Sequence, residues 1–229
     1  MALQSDAAMV LFYDIAGDGG DHDDWHTYEH VHERLSIPGF LRATRWIATS
    51  GSPRYLALYE VAGVDMAHSP AYLARLNEPT RWTRAMMPRF RGMVRGFLRV
   101  AAAAGYGLGN AALAIRFSPR QGEDARLRER LASLLPSLAT ARGMASAQLL
   151  EPGPPPPMTS EQALRGPDAS MPALLLATAY EASALGPVAA ALLPELDPVA
   201  RVEAGTYALH FTATAAEVVR TPANAPVLR

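Results

Sequence analysis

The order of the secondary-structure elements predicted from this sequence occurs twice, and this repeat constrains the fold more than any other feature. In the first half, short apolar runs bounded by Gly, Pro and Asp indicate strands, and amphipathic or Pro-initiated stretches indicate helices. The predicted strands are 8–15, 40–49, 54–61 and 90–102, and the predicted helices are 23–36, 69–77 and a further turn at 80–87. The first half therefore has the order β-α-β-β-α-β.

After the glycine-rich connection 105–110 the same order begins again. The predicted strands are 111–118, 145–151, 172–181 and 205–213, and the predicted helices are 122–138 and 184–196. This is the ferredoxin-like arrangement, whose sheet is covered by helices on one face and bare on the other. Two bare faces can cover each other. We therefore predict an α+β fold in which two tandem ferredoxin-like βαββαβ repeats pack sheet to sheet as an internal pseudo-dimeric α+β barrel.

The predicted domain boundaries follow from the repeat. Residues 1–104 form the first ferredoxin-like repeat, which carries the candidate site, and residues 105–220 form the second. The second repeat includes a proline-rich loop, 152–171, which is expected to be extended because proline disfavours regular structure. The last residues, 221–229, are predicted to be a flexible tail.

The composition excludes several classes of function. The 229 residues include no cysteine, so disulfides, thiolate metal sites and cysteine nucleophiles are ruled out. The formal net charge is −1 and there is no basic patch, so nucleic acid is not expected as a partner. No run approaches the ~18 apolar residues of a membrane-spanning helix. We expect a cytoplasmic protein with a small-molecule ligand and no membrane partner, and a homodimer stays open.

The stretch GGDHDDWHTYEHVHERLSIPGF, residues 19–40, contains four of the six histidines. It resembles the signature of EthD-like proteins in the dimeric α+β barrel superfamily. The matching residues are Trp25, Glu29-His30, Glu33-Arg34-Leu35 and Pro38-Gly39-Phe40. The segments 55–61 and 69–86 also resemble the third strand and second helix of those proteins, so the resemblance covers roughly residues 8–100. One position departs from the pattern, since His32 stands where these proteins usually have proline.

The resemblance implies a barrel fold and a range of small-molecule functions. The superfamily includes cofactor-independent monooxygenases, lactone isomerases, polyketide-type cyclases, haem-binding enzymes and stress-associated proteins. In such proteins the histidine that matches His30 often lines a cavity between helices and sheet. Because one fold hosts unrelated chemistries, the resemblance says more about the fold than about the reaction.

A regular α-helix places the histidines of this stretch on two faces. At about 100° per residue, one apolar face is formed by five residues. These residues are Trp25, Tyr28, Val31, His32 and Leu35. His30 then lies on the opposite side, near His26. Periodicity thus favours a buried His32, whereas the family pattern favours a buried His30, and a bend near residues 30–32 is needed to reconcile them.

Two chemical roles are open to these histidines. In the first, His30 or His32 is the catalytic acid–base group, with Glu29 and Glu33 as polar neighbours and Arg34 as an anion stabiliser. In the second, a divalent metal ion is bound by three histidines at i, i+4 and i+8. These are His22, His26 and His30. There is no HExxH-type signature, so no metal is expected.

Aromatic and methionine side chains of the first repeat are candidates for substrate contact, because a planar apolar ligand needs such walls. They are Trp25, Tyr28, Trp46, Tyr59, Tyr72, Trp82 and Met86. On the second strand, Trp46 alternates with Arg45, so only one of the two can point into the space between helices and sheet.

The leading hypothesis is a small-molecule enzyme that acts on a hydrophobic, aromatic or polyketide-like substrate by His-based acid–base chemistry. It would be an isomerase, cyclase, lyase or cofactor-free monooxygenase, and no cofactor is expected. One alternative is a non-catalytic ligand-binding or stress-associated protein. Another is a protein that binds haem or a metal through a helix histidine.

Overall fold

The computed structural model describes residues 3–220. The strands are β1 (Ala7–Ile15), β2 (Phe40–Ser50), β3 (Tyr55–Val61), β4 (Phe90–Gly105), β5 (Ala111–Pro119), β6 (Met144–Pro152), β7 (Ala169–Ser170), β8 (Ala173–Ala179) and β9 (Ala200–Thr214). The α-helices are α1 (Gly19–Trp25), α2 (Val31–Leu35), α3 (Pro70–Asn77), α4 (Arg81–Met86), α5 (Asp124–Ala139), α6 (Ser160–Arg165), α7 (Leu185–Leu196) and α8 (Ala215–Arg220). A π-helical turn, His26–His30, joins α1 to α2. Short 3₁₀ segments lie at Val64–His68, Met87–Arg89 and Ala182–Ala184.

Eight antiparallel strands close into a barrel. Their order is β1-β3-β2-β9-β5-β8-β6-β4, and β4 pairs again with β1. The long strands β4 and β9 belong to both halves, since β4 pairs with β6 and β9 pairs with β2. The predicted pair of ferredoxin-like repeats forming an internal pseudo-dimeric α+β barrel is confirmed. The division at residue 105 stays a prediction.

Three cores divide the buried apolar side chains. The barrel interior is filled from both halves, and its members include Phe12, Trp46 and Tyr207. Each half has a second core between its own helices and the outer face of its sheet. The candidate site lies in the helix–sheet layer of the first repeat, because α1, the π-turn and α2 pack there. None of the helices within residues 3–220 is long and apolar enough to cross a membrane.

The segment expected to be an extended proline-rich loop, 152–171, contains a helix and a short strand. Helix α6 begins after Thr159, whose hydroxyl accepts a hydrogen bond from the Gln162 amide at 3.4 Å. Strand β7 pairs in parallel with β4 through two residues. The expectation of an extended loop was wrong here, since a T-x-x-Q capping pattern follows the prolines and starts a helix. The predicted tail, 221–229, lies outside the described residues.

Candidate functional site

One helical segment, residues 19–35, supplies most of the candidate residues, and we call it the histidine helix. It begins at Gly19 because the Asp18 carboxylate accepts a hydrogen bond from the Gly20 amide at 3.0 Å. Within it, the Val31 amide donates to the His26 carbonyl, a spacing of five residues that defines a π-helix. This wider turn, at residues 26–30, shifts the side chains that follow it around the helix axis, and it reconciles the two sequence arguments in place of the bend expected near residues 30–32.

His22, His26 and His30 lie on one face of the histidine helix, and this face is turned into the helix–sheet core. Their imidazoles form a ladder, with ring centroids 5.6 Å apart between the first two and 5.7 Å apart between the last two. All three are buried, and the indole of Trp25 lies 4.3 Å from the His30 ring. The structure therefore turns His30 into the space between helix and sheet, which the regular-helix argument did not predict.

The three imidazoles differ in their hydrogen bonds. Both ring nitrogens of His22 are engaged, with the Tyr13 hydroxyl at 3.1 Å and with Asp23 at 3.1 Å. Nε2 of His26 lies 3.0 Å from the hydroxyl of Tyr59. Nδ1 of His26 and Nδ1 of His30 are buried and have no hydrogen-bond partner among residues 3–220. A further hydrogen bond to the ladder, or a proton transfer from it, would involve one of these two nitrogens.

Burial controls the charge state of the ladder. Loss of hydration lowers the pKa of His22, and it lowers the pKa values of His26 and His30 well below the usual range. The nearby positive charges act in the same direction, since Arg45 lowers the pKa of His26 and Arg34 lowers that of His30. The imidazoles are therefore neutral at pH 7, the form in which a histidine can act as a base.

His32 points elsewhere. It lines an open apolar groove of about 510 Å³ between α2 and α8. The other residues of this groove are Leu35, Ser36, Ile37, Pro38, Gly39, Phe40, Leu41, Ala215, Val218 and Val219. The expectation that His32 belongs to the interior face with Trp25 was wrong, because the π-turn changes the direction of every residue that follows it.

The two predicted carboxylate neighbours bind other partners. Oε1 of Glu29 accepts hydrogen bonds from Trp25 at 3.2 Å and from Thr80 at 2.6 Å, and so fixes the histidine helix to α4. Glu33 lies 3.5 Å from Arg75, and burial raises the pKa of its carboxyl. Neither carboxylate has a hydrogen bond to a histidine among residues 3–220, so both serve packing in this arrangement.

The predicted aromatic residues separate by position. Four of them line the helix–sheet core of the first repeat together with the predicted Met86, and these are Trp25, Tyr59, Tyr72 and Trp82. Tyr28 is 55% exposed, since it lies on the outer side of the π-turn. Trp46 belongs to the barrel interior, on the other face of the sheet. The structure thus does not place Tyr28 and Trp46 with the other candidates.

Arg45 is the residue of β2 that points to the histidine helix. Its guanidinium donates to the Asp23 carbonyl at 3.1 Å and to the Thr27 hydroxyl at 3.0 Å. It also donates to Nδ1 of His210 on β9 at 3.0 Å, so a residue of the second repeat borders the site of the first. The alternation of Arg45 with Trp46 predicted that one of them faces the helices, and the structure selects Arg45.

Sequence reasoning missed the residues that cover the site. Arg34 is buried, and its Nη2 lies 2.7 Å and 2.6 Å from the two carboxylate oxygens of Glu161 on α6. Gln162, from the same helix, accepts a hydrogen bond from Arg95 on β4 at 3.1 Å. The signal that could have found them is the capping pattern that begins at Thr159.

The second repeat has no counterpart of the ladder. Its first helix, α5, presents four leucines to the helix–sheet core: Leu127, Leu131, Leu135 and Leu138. They recur at nearly the same spacing as the histidines and Arg34 of the first repeat. The polar site therefore occurs once in the part of the chain that the structure describes.

No protein-family model matches this sequence, and no curated protein matches it. Solved structures do. An anthrone oxidase-like protein is 12% identical with a TM-score of 0.64, over 94% of this chain and 96% of the other. A "Putative monooxygenase" from Fusobacterium nucleatum is 9% identical with a TM-score of 0.58, over 91% and 94%. A heme-binding protein from Thermus thermophilus is 10% identical with a TM-score of 0.52, over 93% of each chain. At these identities the likeness shows the fold, which is that of the dimeric α+β barrel proteins.

One of these structures is a heme-binding protein, and a haem ligand has definite geometric requirements. An axial histidine must leave one ring nitrogen open beside a slot for a flat macrocycle. The His30 ring has Trp25 at 4.3 Å and His26 at 5.7 Å, and the ladder is enclosed by further rings. Among residues 3–220 the ladder does not fit as a haem ligand in this arrangement.

A metal site is not formed by the ladder either. The imidazoles follow one another along the helix and do not converge on one point. Within residues 3–220, no three His, Cys, Asp or Glu side chains are placed to hold a metal ion.

Proposed function

We propose that this protein is a small-molecule enzyme in which His30 is the general base or acid for a hydrophobic substrate. The observation that supports this most directly is the unpartnered, buried Nδ1 of a neutral His30. A buried polar atom without a partner is unfavourable, so Nδ1 of His30 is suited to exchange a hydrogen bond or a proton with a bound ligand.

The reaction class is proton transfer that generates a stabilised anion. A neutral imidazole removes a proton from a carbon or hydroxyl group, and the anion that develops is stabilised by the guanidinium of Arg34 one helical turn away. Isomerisation, cyclisation, elimination and cofactor-free oxygenation all begin with this step. Trp25, Tyr59 and Tyr72 are fully buried around the ladder, so a substrate must open part of this core to reach His30, and a planar or apolar body suits these neighbours.

Similar solved structures support this class over a purely structural role, because one is an anthrone oxidase-like protein and two others are putative monooxygenases. A non-catalytic ligand-binding protein would use the same space but would show no turnover. The two functions differ in what they require of His30. Catalysis requires its imidazole to take up and release a proton, whereas ligand binding does not.

The test begins with a thermal-shift screen of aromatic and polyketide-like compounds, because a ligand that binds the folded state raises the melting temperature. On any compound that is turned over, His30→Gln should reduce kcat by about 10²–10⁴-fold, the usual contribution of a general base. His68→Gln is the matched control, since His68 is exposed on a 3₁₀ segment. Full activity of His30→Gln would refute the proposal.

A further inference from the structure

Three arginines and two carboxylates form a buried cluster next to the histidine ladder. Arg34 on α2 and Arg95 on β4 come from the first repeat, whereas Glu161, Arg165 and Asp168 come from the connection between β6 and β8. All five side chains are at most 7% exposed. These five groups carry one more positive than negative charge, which is an unfavourable balance for a buried cluster.

The carboxylates that neutralise the first repeat's arginines both come from the connection. Glu161 pairs with Arg34, and Oδ2 of Asp168 lies 2.8 Å from Nε of Arg95. Among residues 3–220, neither arginine forms an ion pair with a carboxylate of its own repeat. The first repeat on its own therefore presents two buried cations that lack an anion.

Glu161 engages only one of the two terminal nitrogens of Arg34. Both of its oxygens lie on Nη2, while Nη1 is buried with no hydrogen-bond partner among residues 3–220. A guanidinium binds a carboxylate best side by side, with one nitrogen to each oxygen. Because Nη1 has no partner, a carboxylate placed across both terminal nitrogens would form the side-by-side pair that Glu161 does not form.

A cavity of about 260 Å³ adjoins the cluster. It is lined by Phe90, Gly92, Met93, Arg165, Gly166, Pro167 and Ala169. Its walls combine apolar side chains from β4 with the guanidinium of Arg165 on α6, so it meets the cluster at Arg165, whereas Arg34 and Arg95 lie behind the cover and do not line it. Such a lining suits a small molecule that has an apolar body and an anionic head.

We propose that Arg34 and Arg95 form a binding site for the carboxylate of a small apolar organic acid, and that α6 is the cover of this site. Glu161 occupies the ligand's position when no ligand is bound. The inference deepens the proposed function and rests on it in one respect: a carboxylate held on Arg34 lies beside His30, so the substrate of the base is an organic acid. The binding site itself can be tested without any turnover.

The test measures benzoate binding to the full chain by calorimetry, with neutral benzamide as the uncharged probe. Glu161→Gln keeps the shape of the competing side chain and removes its charge, so benzoate should bind about tenfold more tightly to this variant. Benzamide should show no such gain. Glu195→Gln is the matched control, because its exposed partner Arg130 lies on the second repeat, and it should bind benzoate as the wild type does.

A second measurement does not depend on any variant. Benzoate should increase hydrogen–deuterium exchange of the amides of residues 160–168 in the wild-type protein, since the cover must leave the arginines. Equal benzoate affinity of wild type and Glu161→Gln, benzamide binding as tightly as benzoate, or unchanged exchange at α6 would each overturn the inference. Inorganic phosphate that shows the same dependence on Glu161 with tighter binding would contradict the carboxylate assignment.

His30→Gln separates the two proposals. If this variant retains activity and Glu161→Gln still tightens benzoate binding, the proton-transfer function fails and the carboxylate site stands. If His30→Gln loses activity while Glu161→Gln leaves benzoate binding unchanged, the base stands and the carboxylate site fails.

Discussion

Arg34 and Glu161 are 127 residues apart in the chain and form a buried ion pair, with Nη2 of Arg34 at 2.7 Å and 2.6 Å from the two carboxylate oxygens. The pair joins the histidine helix of the first repeat to a helix inserted in the second. It is the charged contact through which the cover and the candidate site are connected, and its energetics can be measured directly.

Replacing only one partner of this ion pair should destabilise the folded protein far more than replacing both partners together. Glu161→Met leaves the Arg34 guanidinium buried without an anion and adds to the positive excess of the cluster, so we expect a loss of about 3–5 kcal/mol in the free energy of unfolding. The double variant Arg34→Met/Glu161→Met should lose much less than the sum. Urea unfolding of the four proteins gives the coupling energy.

The exposed pair Arg130–Glu195 provides the control for that cycle, and its coupling should be too small to measure. Additive effects of Arg34→Met and Glu161→Met would show that the two groups are not coupled in solution.

The stability of the protein should fall in mild acid because of the histidine ladder. In the folded state burial lowers the pKa values of His22, His26 and His30 below the ordinary histidine value of 6.5, so the unfolded chain binds more protons as the pH falls through 6.5. Each histidine then removes up to about 1.4 kcal/mol per pH unit from the free energy of unfolding, until the pH reaches its folded pKa. This stability is fully present above pH 6.5.

Urea unfolding at pH 7.5, 6.5 and 5.5 measures this slope. His26→Gln should reduce the slope by roughly one histidine's share, whereas His68→Gln, at an exposed position, should leave it unchanged. A stability that does not change between pH 7.5 and 5.5 would mean that the ladder is not buried in neutral form.

The π-turn should tolerate the loss of one residue. Removing exposed Tyr28 converts the five-residue turn into an ordinary α-helical turn and leaves the flanking helices α1 and α2 on their present faces. We expect a folded protein with a small change in melting temperature. Circular dichroism with thermal unfolding is the measurement.

Removing Glu33, which lies in the regular helix α2, is the matched comparison. The residues that follow it, Arg34 and Leu35, would rotate by about 100° around the helix axis, because each α-helical residue turns by that amount. This deletion should be strongly destabilising. If the two deletions lowered the melting temperature by the same amount, the result would argue against the π-turn.

Arg45 should set the pKa of the middle histidine. Burial is the largest cause that lowers the pKa of His26, and the charge of Arg45 is the next. Arg45→Met removes this charge, so the pKa of His26 should rise, which an NMR titration of the imidazole resonances measures. Arg54→Met, a change at a cation that lies over the Tyr55 ring, should leave the pKa of His26 where it is.

The strands were predictable because their signals are local. The runs 54–61 and 111–118 are short, apolar and bounded by turn residues, and the strands β3 and β5 match them within one residue. The tandem order of elements then led to the barrel, since two half-covered sheets in one chain have an obvious way to cover each other.

The direction of His30 could not be obtained in the same way. A helical wheel assumes 3.6 residues in every turn, and the single wider turn at His26–His30 invalidates it for all residues beyond. The similarity of the segment to EthD-like proteins pointed to His30 because it carries no assumption about the helix type. The cover on α6 was missed since its contacts with Arg34 and Arg95 span long distances in the chain, and the prolines before it suggested an extended segment.

The barrel has a further consequence because one chain builds both of its halves. In a barrel made from two identical chains, a segment inserted to cover one cleft must appear over both, and every polar side chain in one cleft must be buried in the other. Here the half that contains α5 has leucines in place of the ladder, and its inserted helix, α6, packs against the other half. Joining the halves thus permits the two clefts to differ, since one half carries the buried histidines and the other supplies the helix whose Glu161 pairs with Arg34.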